Sequence, residues 1–312
     1  MADRLELRGP PPPRADGRFA PSPTGPLHLG NLRTALLAWL LARAAGARFL
    51  LRIEDLDAGR VRAEHYDGHP ADLAALGIDW DGPVERQSEH TARFAQALAQ
   101  LRAAGLVYEC WCTRAEIREA ASAPHGAAPD GAYPGTCREL SAPERRMREA
   151  SGRAPALRVR AAGAQVGFTD RIRGPVRGVV DDFVVRRNDG AFAYNLAAAV
   201  DDAAQGIGEV VRGEDLLDST PRQLWLLAQL GLRAPGYAHV PLVHGPDGAR
   251  LAKRHGAVIL AERTALGQAA GEVRAALAAS IGLSRPGETP TPATLVERVR
   301  ALMTLELQHE HA

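Results

Sequence analysis

Three groups of residues in this chain have types and spacings that suit chemistry. His28, Gly30 and Asn31 sit where a Pro/Gly/Ser/Thr loop, residues 21–26, turns into a helical pattern. A helix N-terminus carries unpaired N–H groups and a partial positive charge, so it suits phosphate. Gly30 has no Cβ, so a flat base or ribose can lie on the backbone there, and His28 can donate a hydrogen bond to a phosphate oxygen. Cys110, Cys112 and Cys137 are the only three cysteines and fall within 28 positions. On an extended segment Cys110 and Cys112 point the same way, and tetrahedral zinc needs four ligands. Cys137 supplies a third ligand, and Tyr133 or His125 the fourth. Lys253 is the last group, the sole lysine among 38 Lys and Arg residues. A chain that uses arginine everywhere else keeps lysine where a compact ammonium on a flexible stem is needed.

The elements that must position these groups follow from periodicity. Arg18–Ala20 reads as an extended entry into the loop. Leu29, Leu32, Leu36 and Leu40 then have the spacing of one helix face, Gly46 stops the helix, and 48–53 reads as a buried strand ending in Glu54, Asp55 and Asp57. That order is a βαβ unit, the building block of a parallel sheet. Ligands bind such sheets at the C-terminal ends of the strands, where an acid can hold a substrate ammonium. Helices are expected over 64–77 and 91–105, a solvated helix over 141–156, and several strands over 158–182. A helix carrying Tyr194 and Asn195 leads to Asp201 and Asp202. A strand over 209–212 precedes a helix start at Ser219-Thr220-Pro221. Helices over 262–282 and 293–307 close the chain.

Composition narrows the class. A chain of 312 residues, 46% hydrophobic, can bury a substantial core. It has no apolar run of the roughly 18 residues needed to span a bilayer, and residues 1–17 lack the apolar stretch of a signal peptide, reading instead as a disordered leader. Three cysteines form no even disulfide set, which points to a reducing, cytoplasmic location. A net charge of +1 gives no overall basic field.

The segment RFAPSPTGPLHLGN resembles the HIGH-type signature of class I aminoacyl-tRNA synthetases of the glutamyl/glutaminyl branch. YNLAAAVDD, VVRGEDLLDSTPRQ and RLAKR resemble its downstream signatures, the last standing at the place of the KMSKS loop. The resemblance covers roughly 18–258 and implies a fold and a set of roles. The fold is α/β: a Rossmann-like nucleotide domain in two halves (18–105 and 166–258), an inserted zinc-binding subdomain that docks the acceptor arm (106–165), and a short helical C-terminal segment (259–312). His28 and Lys253 would be catalytic, and with Gly30 and Asn31 would bind ATP. Arg18, Phe19, Ala20, Pro21, Ser22, Glu54, Tyr194 and Arg212 would hold glutamate, the two arginines on its carboxylates and Glu54 near its amino group. A dicarboxylate does call for guanidinium forks and its ammonium for an acid. Cys110, Cys112, Tyr133 and Cys137 match the family's zinc ligands, with a longer loop between Cys112 and Tyr133. Arg250 and Ala252 depart from the KMSKS pattern: arginine keeps the charge, and alanine loses one hydrogen bond.

A full synthetase of this branch continues into an anticodon-binding domain, for which the last 55 or so residues are too few. The expected activity is therefore that of the glutamyl-queuosine branch: tRNA-independent activation of glutamate with ATP, then transfer to the queuosine base at the wobble position of tRNA(Asp). Its expected partners are ATP with Mg²⁺, L-glutamate and queuosine-bearing tRNA(Asp), with one structural Zn²⁺, no membrane, and a monomeric state. A truncated glutamyl-tRNA synthetase and a non-catalytic RNA- or glutamate-binding regulator are the alternatives.

Overall fold

The computed structural model describes residues 7–9, 12, 15–121, 133–243, 258–285 and 287–309. His125, Arg250, Ala252 and Lys253 lie outside them. The chain begins with strand β1 (Gly17–Phe19), helix α1 (Leu29–Ala44) and strand β2 (Phe49–Ile53). β1 and β2 run parallel with Arg18 opposite Leu50, as a βαβ unit requires. Gly46, at φ 67°, takes the left-handed conformation that turns the chain out of α1.

The leucine spacing of α1 predicts one apolar face. Instead Leu32, Ala35, Leu36, Leu37, Leu40 and Leu41 are all buried. The helix runs through the largest core cluster, with Val211 and Ala238 of the sheet and Val273, Leu277, Leu295 and Val299 of the C-terminal helices packed around it. A helix buried on most of its faces belongs inside a domain.

Next come α2 (Glu64–Ala75), β3 (Glu85–Arg86) and α3 (Thr91–Ala103), followed by β4 (Val107–Cys110), α4 (Arg114–Ala121) and α5 (Ala142–Ala150). Four strands follow: β5 (Ala156–Val159), β6 (Ala164–Asp170), β7 (Gly174–Val180) and β8 (Val184–Arg186). The second half holds α6 (Tyr194–Ala204), β9 (Glu209–Gly213), α7 (Thr220–Gln229) and β10 (Gly236–Val240). The last helices are α8 (Leu260–Ala265), α9 (Ala270–Ala279) and α10 (Pro292–His309).

β10 is the centre of the second half, parallel to β9 on one side and to β6 on the other, with β7 antiparallel on β6. The carbonyl of Asp16 accepts from the N–H groups of Gly208 and Glu209 at 2.8 and 3.2 Å, which brings β1 alongside β9 and aligns the two halves. β4, β5 and β8 form a separate antiparallel sheet.

Four expectations need correction. The expected free leader does not hold at Leu7 and Ala15, which are buried, and the Arg8 N–H donates to the Arg171 carbonyl. The boundary at 165 does not follow the sheets: β6 already pairs with β10, while β8, some twenty residues later, returns to pair with β5. The helix expected over 141–156 ends at Ala150, because Gly152 turns the chain at φ 69° and β5 begins at Ala156. The helix expected over 262–282 is two, parted by Gly267 at φ 84°.

Candidate active site and metal centre

A cleft of about 500 Å³ opens at the C-terminal ends of β1 and β9. It is lined by Arg18, Phe19, Ala20, Pro21 and Ser22 from β1 and its loop, by Glu54 just past β2, and by Tyr194 and Arg212. The eight residues assigned to glutamate, separated by up to 194 positions in sequence, therefore share one cavity. His28, Gly30 and Asn31 line it too.

The loop 21–26 is held from three sides. Glu54 N–H donates to the Pro21 carbonyl at 2.9 Å and Arg62 N–H to Pro23 at 2.8 Å. His69 Nε2, on a ring 1% exposed, lies 2.9 Å from the Gly25 carbonyl, which makes Nε2 its donor. His28 then caps α1: its Nδ1 accepts from Asn31 N–H, and the Asn31 side-chain oxygen accepts from His28 N–H, each at 3.2 Å. This reciprocal cap fixes the tautomer, placing the ring proton on Nε2. It also changes the reason for Gly30. A Cβ there would meet the His28 ring at 3.0 Å, so the glycine lets the imidazole lie against the helix.

Behind the cleft lies a charge network that motif reading does not reveal. Arg18 donates through Nε and NH2 to the two Asp202 oxygens, at 3.2 and 3.4 Å. Arg52, fully buried, reaches Asp202 at 2.8 Å, Glu54 at 3.1 Å and Asp201 at 3.8 Å. Arg93 adds 2.9 Å to Asp201, so three arginines face three carboxylates. Burial would raise Asp202, but Arg18 and Arg52 outweigh it and hold the carboxyl below its ordinary range. Glu54 goes the other way: burial pushes it up, and Arg52 and Arg18 offset only part of this. An incoming ammonium would restore its charge, which is what a ligand for the amino group needs. The visible signals were an arginine inside the apolar strand FLLRI and two acids inside the alanine-rich stretch of α6.

Arg212 is fixed on all three nitrogens. Nε donates to His239 Nε2 at 3.1 Å, NH1 to Gln223 Oε1 at 2.7 Å, and NH2 to the Thr220 hydroxyl at 2.8 Å. Two longer contacts of 3.4 Å, to the Tyr194 hydroxyl and the Leu216 carbonyl, complete its five N–H groups. Sequence reading missed His239, Gln223 and Thr220 because their link to Arg212 is made by sheet register and by α7.

The chain on either side of residues 244–257 meets the same cleft. Val243 lines it, the Val258 carbonyl accepts from Leu29 N–H at 2.7 Å, and Ile259 pairs with His28.

Away from the cleft, Cys110, Cys112 and Cys137 bring their sulphurs within 4.8 Å of one another. The Tyr133 hydroxyl lies 3.3 Å from Cys110 Sγ and 3.6 Å from Cys112 Sγ, and Cys112 and Cys137 are 3.5 Å apart. Four donors on a tetrahedron with zinc–sulphur bonds of about 2.3 Å would stand about 3.8 Å apart, so this set fits such an ion closely. The donor chemistry agrees. Burial pushes the Cys112 thiol up to about 12, while at Cys137 burial is outweighed by hydrogen bonds from the Trp111 backbone, Tyr133 and the other two thiols, which hold it below its ordinary value; a divalent cation is what lets all three ionise together.

A parallel sheet carrying a capped-helix loop at β1–α1, an arginine-lined cleft at the strand ends and an inserted cysteine cluster defines the catalytic core of a class I aminoacyl-tRNA synthetase. The model of the family described as tRNA synthetases class I (E and Q), catalytic domain, matches residues 15–294, and the chain belongs to that family. A glutamyl-Q tRNA(Asp) synthetase of Nocardia farcinica is 60% identical over 267 residues, covering 86% of this chain and 85% of that one. Its counterpart in Symbiobacterium thermophilum is 52% identical over 293 residues, covering 90% of each. The crystal structure of a glutamate tRNA ligase from Elizabethkingia meningosepticum, in complex with its amino acid, superposes with a TM-score of 0.76 at 27% identity over 91% of this chain. The chain spans 64% of that ligase.

Proposed function

We propose that the chain activates glutamate with ATP in the absence of RNA and transfers it to the queuosine base at the wobble position of tRNA(Asp). The observation that carries this reading is the convergence of Arg18, Glu54 and Arg212 on one cleft beside the capped N-terminus of α1. The activity named for the Nocardia and Symbiobacterium relatives, matched across 85% and 90% of their lengths, supports the queuosine acceptor.

In this reading Arg18 and Arg212 take the substrate carboxylates and Glu54 its ammonium, with Tyr194 and the entry Phe19–Ser22 shaping the pocket. The α-carboxylate attacks the α-phosphorus of ATP and pyrophosphate leaves. Catalysis is then positioning plus neutralisation of phosphate charge, assigned to His28 through Nε2–H and to Lys253, with Gly30 and Asn31 in contact with the nucleotide. The placement of Val243 and Val258 at the His28 end of the cleft supports the role of Lys253. Mg²⁺ accompanies ATP. Zn²⁺ on Cys110, Cys112, Cys137 and Tyr133 would tie β4 to the segment after Tyr133. Among the described residues no helix is long and apolar enough to cross a membrane, and the proposed setting is the cytoplasm, with the chain acting as a monomer.

The test is ATP–pyrophosphate exchange without RNA, with glutamate and with glutamine and aspartate as controls, followed by transfer of labelled glutamate to tRNA(Asp) with and without queuosine. Exchange with glutamate alone and labelling only of the queuosine-bearing tRNA are expected. Exchange that requires tRNA(Glu) would replace this reading with a truncated glutamyl-tRNA synthetase, and no exchange at all with a regulator.

A further inference from the structure

We infer that His239, oriented by Asp170 with its ring proton on Nδ1, is a positioning residue that sets the orientation of Arg212 toward the substrate carboxylate. The inference rests on the proposed reading of Arg212.

His239 lies on β10 directly opposite Arg212 on β9 in the parallel ladder, and it is fully buried. Its Nε2 is 3.1 Å from Arg212 Nε. Arginine has only donors, so Nε2 must accept and the ring proton must sit on Nδ1. That nitrogen is 2.6 Å from Asp170 Oδ2, on a side chain also fully buried. Asp170 is fixed in turn: it accepts from the N–H groups of Ile172 and Arg173 at 2.9 Å each, and from His239 N–H at 3.1 Å. The Thr220 hydroxyl, which accepts from Arg212 NH2, is 3.1 Å from His239 Nε2 and can donate there. Carboxylate, imidazole and guanidinium thus form a line in which each proton has one direction.

Burial lowers His239 below an ordinary histidine; Arg212 and Arg18 add to this and Asp170 opposes it. Phe168 of β6 and Tyr237 of β10 pack on the ring, the latter parallel to it at 6.0 Å. A protonated ring would press an N–H against the guanidinium. The neutral ring gives Arg212 Nε an acceptor that cannot rotate away.

The consequence appears in what Arg212 has left. Its three short bonds, to His239, Gln223 and Thr220, set the plane of the fork. The two 3.4 Å contacts, to the Tyr194 hydroxyl and the Leu216 carbonyl, are one on each terminal nitrogen. Those are the bonds a carboxylate can replace, and a bidentate ligand needs both on one fixed plane. Without His239 the fork can turn about its last bonds, and the loss falls on glutamate rather than on ATP. As with the carboxylate that orients a metal-bound histidine, the outer partner sets the geometry of the group that touches the ligand.

The experiment compares His239→Leu, His239→Gln and Arg212→Lys in the full chain. KM for glutamate and KM for ATP are measured by pyrophosphate exchange, and imidazole nitrogen NMR identifies the ring signal that disappears in His239→Gln. Leucine offers no acceptor, while glutamine can accept from Arg212 and donate to Asp170 together. In His239→Leu the glutamate KM should rise about tenfold or more with the ATP KM within about twofold, and His239→Gln should recover most of the loss. The NMR signal should be that of a neutral Nδ1–H ring. A parent-like glutamate KM in His239→Leu, an equal rise in both KM values, or a ring protonated on Nε2 would overturn the inference. If His239→Leu does not fold, the glutamate KM of His239→Gln and the tautomer decide: a rise confined to ATP, or an Nε2–H ring, refutes it. Arg212→Lys separates the two failures: an unchanged glutamate KM there removes the reading of Arg212 itself.

Discussion

Arg18 and Asp202 meet as a two-point fork, Nε to Oδ1 at 3.2 Å and NH2 to Oδ2 at 3.4 Å, with both side chains at most 5% exposed. The same carboxylate takes Arg52 at 2.8 Å. One acid therefore aims an arginine of the cleft and neutralises a second arginine behind it. Asp202→Asn keeps the shape but leaves two buried guanidinium groups short of a charge. Removing one member of a buried pair costs about 3–5 kcal/mol, so urea unfolding should shift by that order and the glutamate KM should rise with it. The sign with pH follows from the depressed carboxyl. Its stabilisation is present above the ordinary aspartate value and is lost as pH falls through the lower folded one. The parent should lose stability below about pH 4 more steeply than the variant.

Glu54 behaves oppositely. Burial raises its carboxyl above the ordinary value of 4.5, so the folded state holds the proton where the unfolded chain has released it. Stability then falls as pH rises from 4.5 through the raised value. Thermal melts of Glu54→Gln across that range should lack this decline. Glutamate favours the charged form through its ammonium, so in the parent glutamate should protect more strongly as pH rises. In the variant its KM should be higher by about tenfold or more, the cost of a missing buried partner.

Gly30→Ala separates helix stability from chemistry. Alanine inside a helix is favoured over glycine by about 1 kcal/mol, yet its Cβ would stand 3.0 Å from the His28 ring. The ring must tilt and its cap on Asn31 must weaken. The melting temperature should stay within about 2 °C of the parent, while the ATP KM rises and the exchange rate falls. A parent-like ATP KM would remove the assignment of His28 to phosphate.

Lys253 lies outside the described residues, and its assignment comes from its uniqueness among 38 basic side chains together with its motif. Lys253→Ala should abolish adenylate formation with an unchanged melting curve. Lys253→Arg should recover little, since a planar fork does not replace a compact ammonium on phosphate. Unchanged exchange in Lys253→Ala would refute the assignment.

What could be read from the chain was local or motif-borne. The loop, the start of α1, the strand ending at Glu54 and the Cys110–Cys112 pair all announce themselves within a few residues. What escaped depends on partners far apart in sequence. Arg52 and Asp202 are 150 positions apart, and His239 gains meaning only because the β9–β10 register places it opposite Arg212. Periodicity found one stripe of α1 because it follows Leu29, Leu32, Leu36 and Leu40 and passes over Leu37, Leu41 and the alanines, around which sheet and helices also close. The division at 165 failed because sheet pairing, not composition, decides which half owns β6 and β8. The break at Gly267 was a lone glycine in a helical pattern, a signal present in the sequence and outweighed by its neighbours.

The cysteine cluster yields the last prediction. Three sulphurs within 4.8 Å and a tyrosine hydroxyl 3.3 and 3.6 Å from two of them come from the end of β4 with the two residues past it and from 133–137, segments that share no ladder among the described residues. The Cys137 N–H donates to the same hydroxyl at 2.8 Å, and the Arg158 guanidinium lies 3.8 Å over the tyrosine ring. The oxygen is therefore aimed by contacts that do not depend on an ion. Metal analysis of the purified protein should find about one zinc per chain, as a closed four-ligand site holds. Cys137→Ser should lose it and lower the melting temperature. Tyr133→Phe discriminates between fourth ligands: if the hydroxyl closes the shell, zinc should remain but exchange faster with a chelator, because three thiolates retain most of the affinity. Chelator release at the parent rate would give the fourth position to another donor, His125 first, and His125→Ala would then speed the release where Tyr133→Phe did not.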